Sequence, residues 1–258
     1  ASRGLGDVYK RQGSATASGI PQAGDNVFIC SAVILSSSVT VNNLTINAGG
    51  NLSFAASTIS NLTVSGNLTV NSGGTFQAVV GTITHTLNLA GSFINNGSVD
   101  FWKSTTSNVS LIFNGGSNTI VSGSGTWNLF AVTMNKTARL SIFEVQAPAF
   151  FTNFNSGVWT LTQGTYLHNC NRTFNITSAT PDFTINTNTI VKVANGTLNI
   201  AAAGNELVLE GGLEITGGTV NVGRSNGVSP NSLRYRQFGP NIPFINISGT
   251  GLLNSFQG

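Results

Sequence analysis

The stretch GNLTVNSGGTF, residues 66–76, repeats the residue types of NNLTINAGGNLSF, residues 42–54, 24 positions earlier. The same spacing reaches a third unit and aligns three sets: Ile46, Val70 and Ile94; Asn47, Asn71 and Asn95; Gly49, Gly73 and Gly97. Beyond this unit the register slips by one residue, so that Val99 takes the place of Phe76. A fixed period of about 20 to 50 residues is the signature of repeat architectures. The sequence therefore predicts a solenoid.

Each unit alternates as a short strand does. Leu68 and Val70 are separated by Thr69, which is the period-two pattern of a strand with one buried face. The strand ends at Asn71 and a Gly-Gly pair, and these residue types tolerate left-handed backbone conformations. The Asn and Gly positions are therefore predicted to form corners between strands.

A coil of 24 residues with short strands and Gly/Asn corners, stacked on its neighbours at about 4.8 Å, is a parallel β-helix. Stacked aliphatic side chains would form the core, and the three aligned asparagines would form a ladder of amides at one corner. The main alternative is a sandwich of antiparallel hairpins, which explains the alternation but predicts no constant register over three units. We predict a single all-β domain over residues 13–258, with about ten coils.

Downstream the strand pattern continues with a less regular period. Residues 101–154 are rich in aromatic side chains, and we interpret them as longer coils in which Leu140 and Ile142 share one face. Residues 224–243 have turn chemistry without alternation, and they are predicted to be a loop leaving the helix.

The first dozen residues differ in composition from everything that follows. Residues 2–12, SRGLGDVYKRQ, resemble the in-frame translation of an adapter used in DNA sequencing libraries. We therefore expect residues 1–12 to be non-native and the remainder to be a fragment of a longer protein. Removing the three basic residues and one acidic residue of this segment from the 11 and 8 of the whole chain leaves 8 and 7. A net charge of +1 gives no indication of a nucleic-acid partner.

The composition excludes other classes of protein. Charged residues make up 7% of the chain, against about 25% in ordinary globular domains, and 40% is hydrophobic, so the chain is not of the disordered type. No apolar run approaches the roughly 18 residues of a membrane helix, which predicts no membrane insertion. Cys30 and Cys170 lie 140 positions apart; a disulfide is compatible with the sequence, and two buried thiols are favoured.

Several segments carry a family resemblance. PQAGDNVFI (21–29), VTVNNLTINAGGNLSF (39–54) and GGTVNVG (217–223) resemble the right-handed, pectin-lyase-like β-helix modules of large secreted surface proteins of Bacteroidetes. The resemblance covers most of residues 19–258. It implies a right-handed coil, an extracellular or cell-surface location and export through a C-terminal sorting domain, and it carries no catalytic signature.

Carboxylates are the residues on which a β-helix enzyme would depend. Enzymes that cleave acidic polysaccharides cluster them, often around calcium and beside a basic residue. Outside residues 1–12 the chain holds seven: Asp25, Asp100, Glu144, Asp182, Glu206, Glu210 and Glu214. The last three form the one local group, and alternation with leucines points them outward. Solvated surface charges are therefore favoured over a glycosidase pair or a calcium site.

The remaining candidates are few. Asp25 is predicted to bind nearby backbone amides in a turn, and His85 and His168 lack partners at metal-ligand spacing. No nucleophile elbow or phosphate loop occurs, so we predict no catalytic residue, no metal and no cofactor. Within the predicted loop, Arg234, Tyr235 and Arg236 are candidates to contact a glycan or an acidic partner, with an ordinary solvated loop as the alternative.

Together these features predict a non-enzymatic extracellular stalk or adhesin module. Its expected partners are an extracellular glycan or another cell surface, and neighbouring repeats of the same chain. The first alternative is a carbohydrate-active β-helix, either a polysaccharide lyase or a glycoside hydrolase. The second is an ice-binding face, for which Thr82, Thr84 and Thr86 would supply outward threonines.

Overall fold

The structure is a computed structural model that describes residues 9–11, 20–150, 159–176, 182–200, 206–222, 232–237 and 239–255. Every regular element in these ranges is a β-strand, and none of them is a helix long and apolar enough to cross a membrane. The chain forms two compact units. Unit 1 comprises residues 1–132 and 149–156, and unit 2 comprises residues 133–148 and 157–258. The single domain over residues 13–258 stays a prediction.

Unit 1 consists of short strands. They are β1 (Tyr9–Arg11), β2 (Asn26–Ile29), β3 (Ala32–Leu35), β4 (Val39–Val41), β5 (Asn43–Ile46), β6 (Asn51–Phe54), β7 (Asn61–Val64), β8 (Leu68–Val70), β9 (Thr75–Gln77), β10 (Thr84–Leu89), β11 (Phe93–Asn95), β12 (Ser98–Asp100), β13 (Trp102–Ser104), β14 (Ser107–Phe113), β15 (Thr119–Ser122) and β16 (Thr126–Asn128). β1, within the adapter-like segment, pairs antiparallel with β2. The rest of that segment lies outside the described residues.

Successive turns of unit 1 add strands to three sheets. Face A contains β2, β5, β8, β11 and β15; face B contains β3, β6, β9, β12 and β16; face C contains β4, β7, β10 and β14. Neighbours within a face pair in parallel, with Leu44 opposite Leu68 and Leu62 opposite Leu87, 24 and 25 positions apart. These pairings confirm the parallel β-solenoid with its period near 24 residues and are incompatible with a sandwich of antiparallel hairpins.

The core of unit 1 lies inside the three faces. Inward positions stack from coil to coil, and the rings of Phe54 and Phe76 lie 5.6 Å apart between centroids. Phe76 in turn meets the edge of Phe101 at 4.9 Å. Each of these side chains is fully buried, and burying one contributes about 1.5–3 kcal/mol. Stacked inward columns therefore hold the coils together.

In the third coil, the side chain that continues the inward column is not the predicted one. Asn95 pairs with Val70, so it occupies the inward column of Ile46 and Val70, and it is fully buried. Ile94, which was predicted to be inward, is 37% exposed. The physical reason lies in the connection before β10, which is one residue longer than its counterpart in the preceding coil: Leu52 pairs with Phe76, 24 positions on, whereas Leu62 pairs with Leu87, 25 positions on. The same spacing of 25 places Asn95 opposite Val70.

The following coil is longer, as predicted for the aromatic-rich segment. Phe93 pairs with Val121, 28 positions on, and the antiparallel hairpin of β13 and β14 interrupts the regular path. Leu140, which was predicted to share a strand face with Ile142, is 74% exposed, while Phe143 and Val145 are buried. Residues 151–154 of this segment lie outside the described residues.

Unit 2 contains longer strands. They are β18 (Ile142–Val145), β19 (Trp159–Asn175), β20 (Phe183–Ile185), β21 (Thr189–Asn199), β22 (Glu206–Leu209), β23 (Gly212–Ile215), β24 (Thr219–Val222), β25 (Ser232–Tyr235), β26 (Phe244–Ile247) and β27 (Leu252–Ser255), while β17 (Ala131–Asn135) crosses the unit boundary in sequence. Strands β18, β19, β21, β23 and β26 form one set of parallel pairs, and the later residues of β19 and β21 form a second set with β24 and β27; the two sets together are called face D. Face E contains β20, β22 and β25, also in parallel. The loop predicted over residues 224–243 is therefore wrong at β25, which pairs with β22; residues 223–231 and 238 are not described.

Candidate functional site

An open groove of about 400 Å³ lies on face B of unit 1. Its walls are β12 and β16, with Trp102 of β13 at one side. Strand alternation turns Val99 and Trp127 into the core, where both are buried, and leaves their neighbours facing outward. The groove is therefore lined by side chains that the solenoid repeat presents in register.

Four polar side chains form two pairs in this groove. Asp100 lies opposite Asn128, and the Nδ2 of Asn128 donates to Oδ1 of Asp100 at 2.7 Å. Ser98 lies opposite Thr126, whose Oγ1 donates to the Ser98 Oγ at 3.3 Å. The pairs are two residues apart along each strand, or roughly 6–7 Å, and the strands are about 4.8 Å apart. Their arrangement is a small rectangle of hydrogen-bonding groups.

Asp100 has its charge balanced by a neighbour. The ammonium of Lys103 binds Oδ2 of Asp100, and both side chains are partly exposed. Exposed ion pairs of this kind contribute little to stability, so the pair is better understood as fixing the carboxylate. A carboxylate accepts about four hydrogen bonds, and the described contacts supply one on each oxygen. Each oxygen of Asp100, a residue that lines the groove, therefore retains acceptor capacity.

An aromatic ring borders the polar rectangle. Trp102 is half-buried and stacks on Phe130, with centroids 5.1 Å apart and planes 9° from parallel. The position follows from the antiparallel β13–β14 hairpin, which begins directly after the face B strand β12. Trp102 thus combines a large apolar ring with an indole N–H donor at the edge of the groove.

This arrangement is suited to binding. A concave site with a few convergent polar groups and an aromatic wall is the usual form of a small-molecule site. Among the lining residues Asp100 is the only carboxylate, so the groove lacks the pair that glycoside hydrolysis normally requires. Its groups can hold hydroxyls through hydrogen bonds and an apolar ring face through Trp102.

The predicted contact residues Arg234, Tyr235 and Arg236 lie in unit 2. Arg234 pairs with Asp182 at 3.5 Å, and the Nε of Arg236 donates to Oε1 of Glu210 at 2.7 Å. Their neighbour Tyr235 donates through its hydroxyl to the carbonyl oxygen of Pro243. All three are exposed, and each has a partner within the unit.

The same contacts correct the prediction for the local group of glutamates. Glu210 was predicted to be a solvated outer-face charge, but it is 6% exposed and held by Arg236. The cause is β25, which stacks on β22 and brings the guanidinium beside the carboxylate. Glu214 pairs with Lys192 at 3.1 Å, and the side chain of Glu206 lies outside the described residues.

The other carboxylates have local partners. Asp25 accepts the Gln22 N–H at 2.7 Å, which confirms its predicted turn role. Glu144 accepts the side-chain amides of Gln146 and Asn169, each at 2.7 Å. Across the described ranges no three His, Cys, Asp or Glu side chains are placed to hold a metal ion.

The histidines and one cysteine are buried. Nδ1 of His85 accepts the Ser60 N–H at 3.2 Å, and Nδ1 of His168 lies 2.9 Å from the Tyr166 hydroxyl. Desolvation lowers the pKa of both histidines and raises the pKa of Cys170 to about 11. Both cysteines are free; Cys170 is buried as predicted, whereas Cys30 is exposed. The two neutral imidazoles and the protonated thiol are therefore packed as uncharged side chains of the core.

The predicted corner residues of the first two coils differ from those of the third. Nδ2 of Asn71 donates to Oδ1 of Asn47 at 2.9 Å, whereas Asn95 donates to the Thr126 carbonyl oxygen and does not join them. Gly49 and Gly73 have φ of 78° and 79°, in the left-handed region that favours glycine. Gly97 lies instead against the Gly74 carbonyl oxygen, directly before β12.

The threonines proposed for ice binding do not form an array. Thr84 lies opposite Asn108, and Thr86 lies opposite Asn61 and Ser110. Thr82 precedes β10 and is outside any strand. Face C thus presents mixed Asn, Ser and Thr side chains at these positions.

Comparison with known proteins adds no relative. The chain matches no protein family model, no curated protein and no solved structure. The resemblance to pectin-lyase-like surface modules, the right-handed coil and the adapter origin of residues 2–12 therefore stay predictions.

Sequence reasoning missed the groove. The sequence pattern distinguishes Asp100 only as one of seven carboxylates, and it does not indicate Trp102, Phe130 or Asn128 as site residues. A usable signal was the run DFWK at residues 100–103, which places an aromatic ring and a cation beside a carboxylate at a strand end. The partner Asn128 lies 28 positions away, at a spacing that the 24-residue period does not predict.

Proposed function

We propose that this protein is a non-enzymatic extracellular β-solenoid module that binds a glycan through the groove on face B. The groove carries the proposal, because a sugar ring offers both an apolar face and a set of hydroxyl donors and acceptors. Trp102 is suited to the ring face, while Asp100, Asn128 and the Ser98–Thr126 pair are suited to the hydroxyls.

A stalk or adhesin role agrees with the rest of the surface. Charge is scarce, and the outward positions of the strands are occupied largely by Asn, Ser and Thr, which bind neutral polar partners through hydrogen bonds. Stacked coils also let the same strand pattern be repeated along a chain. An extracellular location is supported by the family resemblance and by this composition.

The test is a glycan array followed by titration of the tightest-binding glycan. We expect Trp102→Ala to weaken binding by about tenfold or more, since aromatic anchors dominate binding energy. Tyr235→Ala is the matched control, because Tyr235 is an exposed aromatic residue beside the arginines of unit 2. We expect it to bind as the unmodified protein does.

Folding must be checked in the same experiment. Trp102 stacks on Phe130, so the thermal unfolding of Trp102→Ala is measured, and Asp100→Asn serves as a second variant that keeps the side-chain shape. Loss of binding in Tyr235→Ala with retention in Trp102→Ala would overturn the groove as the site. Release of reducing ends from a bound polysaccharide would overturn the non-enzymatic assignment.

One observation favours a carbohydrate-active alternative. Arg236 neutralises the buried Glu210, and Arg234 lies beside Asp182, so unit 2 has carboxylates next to cations. Proton abstraction beside a sugar carboxylate needs a cation paired with that carboxylate, so a substrate would have to displace Glu210 or Asp182 from its arginine. Under this alternative the protein releases products from an acidic polysaccharide, and Glu210→Gln abolishes that release.

A further inference from the structure

The polar face extends beyond the groove along the coils. Two outward columns are in register: Asn51, Thr75, Ser98 and Thr126 form one, and Gln77, Asp100 and Asn128 form the other. Nε2 of Gln77 donates to Oδ1 of Asn51 at 3.2 Å, so the columns are bridged one coil away from the groove. Ser53, next in the second column, is buried and ends it.

The spacing of these columns is set by the backbone. Parallel strands repeat at about 4.8 Å, so each of β6, β9, β12 and β16 adds hydrogen-bonding groups at that interval. An extended, equatorially linked pyranose chain advances by a similar length per sugar. Such a chain laid across the strands would place one sugar over each strand, next to the outward hydrogen-bonding side chains of that strand.

The near-neutral charge of face B restricts which sugars it can bind. Amides and hydroxyls make up both columns except for Asp100, and Lys103 balances that carboxylate. A charged sugar would lose hydration on entering the face without meeting an uncompensated opposite charge. A neutral sugar exchanges its hydrogen bonds with water for equivalent bonds with these side chains.

We infer that the ligand is a linear, uncharged polysaccharide that lies across the strands of face B, with successive sugars on β16, β12, β9 and β6 and with Trp102 beside the sugars on β12 and β16. This inference rests on the proposed function. It specifies the ligand's charge, its extended form and its direction on the solenoid.

The test is a titration of the full chain with cello-oligosaccharides and fully N-acetylated chito-oligosaccharides of two to six sugars as the neutral series, and with oligogalacturonates as the acidic series. We expect affinity for a neutral series to rise by about tenfold from the disaccharide to the tetrasaccharide and then to level off, as one or two added hydrogen bonds would produce. Gln77→Ala should remove most of this gain and leave disaccharide binding unchanged. Thr63→Ala, on face C, is the control and should change neither.

The outcomes separate the inference from the proposed function. The inference would be overturned by equal affinity for short and long neutral oligosaccharides, or by tighter binding of the acidic series. It would also be overturned if Gln77→Ala weakened the binding of short and long oligosaccharides equally. The glycan-binding groove would still stand if Trp102→Ala weakened binding to another glycan on the array. Absence of binding to any glycan would overturn both.

Discussion

His85 shows how a polar side chain is accommodated in the core of unit 1. Its ring stacks on Phe54 at 4.7 Å, and its Nδ1 accepts a backbone N–H from Ser60. That contact requires an unprotonated Nδ1, and burial disfavours the imidazolium. The pKa of His85 is accordingly lowered by desolvation, as is the pKa of His168 in unit 2.

These histidines predict a loss of stability in acid. Their pKa is near 6.5 in the unfolded chain and lower in the folded protein, so below about pH 6.5 the unfolded state binds more protons. The free energy of unfolding should therefore fall from pH 7.5 to pH 5, by at most about 1.4 kcal/mol per pH unit for each histidine. Denaturant unfolding at several pH values measures this. His85→Phe keeps an aromatic ring and should show a smaller drop; an unchanged drop would contradict the assignment to His85.

Glycine at a coil corner gives a second prediction. A Cβ at Gly50 would lie 2.3 Å from the Ile29 carbonyl oxygen of the preceding coil, whereas one at Gly24 would meet nothing within 4 Å. Gly50→Ala should cost about 1–3 kcal/mol, because the backbone must move, and Gly24→Ala should change stability by less than about 0.5 kcal/mol. Equal thermal unfolding of the two variants would show that the coils are not packed as described.

At the scale of elements, the strands of face D are joined by a ladder of side-chain amides. Asn199 donates to Asn175, Asn221 donates to Asn199, and Asn254 donates to Asn221, at 2.7, 2.7 and 2.9 Å. The four asparagines are in register on β19, β21, β24 and β27. Each rung links two coils through one hydrogen bond beyond those of the backbone.

The ladder predicts a graded effect of mutation. Asn221 makes two rung bonds in this ladder and Asn254 makes one. At about 0.5–1.5 kcal/mol per bond, Asn221→Ala should destabilise unit 2 about twice as much as Asn254→Ala. Urea unfolding monitored in unit 2 compares them, and Thr219→Ala on β24 is the control. If both asparagine variants matched the control, the ladder would contribute nothing.

How far the sequence predicts these elements depends on what fixes each position. Alternation in residues such as Leu62, Val64, Leu68 and Val70 predicts their burial, because strand geometry alone decides it. Asn95 was placed wrongly because the connection before β10 is one residue longer than in the preceding coil and shifts the register of the strands that follow. Corner length is a tertiary property that no local pattern encodes here. The Asp100–Asn128 pair and the Glu210–Arg236 contact were missed for the same reason, since each joins coils of irregular length.

At the scale of the whole molecule, the two units use one construction for different surfaces. Parallel strands place outward residues in columns, so a change of residue type at one position changes the chemistry of a face. Unit 1 uses this to assemble the groove around Asp100 and Trp102, and unit 2 uses it for the asparagine ladder and the Glu210–Arg236 pair. Each face of this common scaffold therefore has its own surface chemistry.

The central claim is that face B is the glycan-binding surface. The most direct measurement is a crystal structure of the full chain with the tightest-binding glycan from the array. The predicted result is a sugar ring against Trp102, with its hydroxyls within hydrogen-bonding distance of Asp100 and Asn128. A glycan bound instead beside Arg234 and Arg236, with face B unoccupied, would contradict the account.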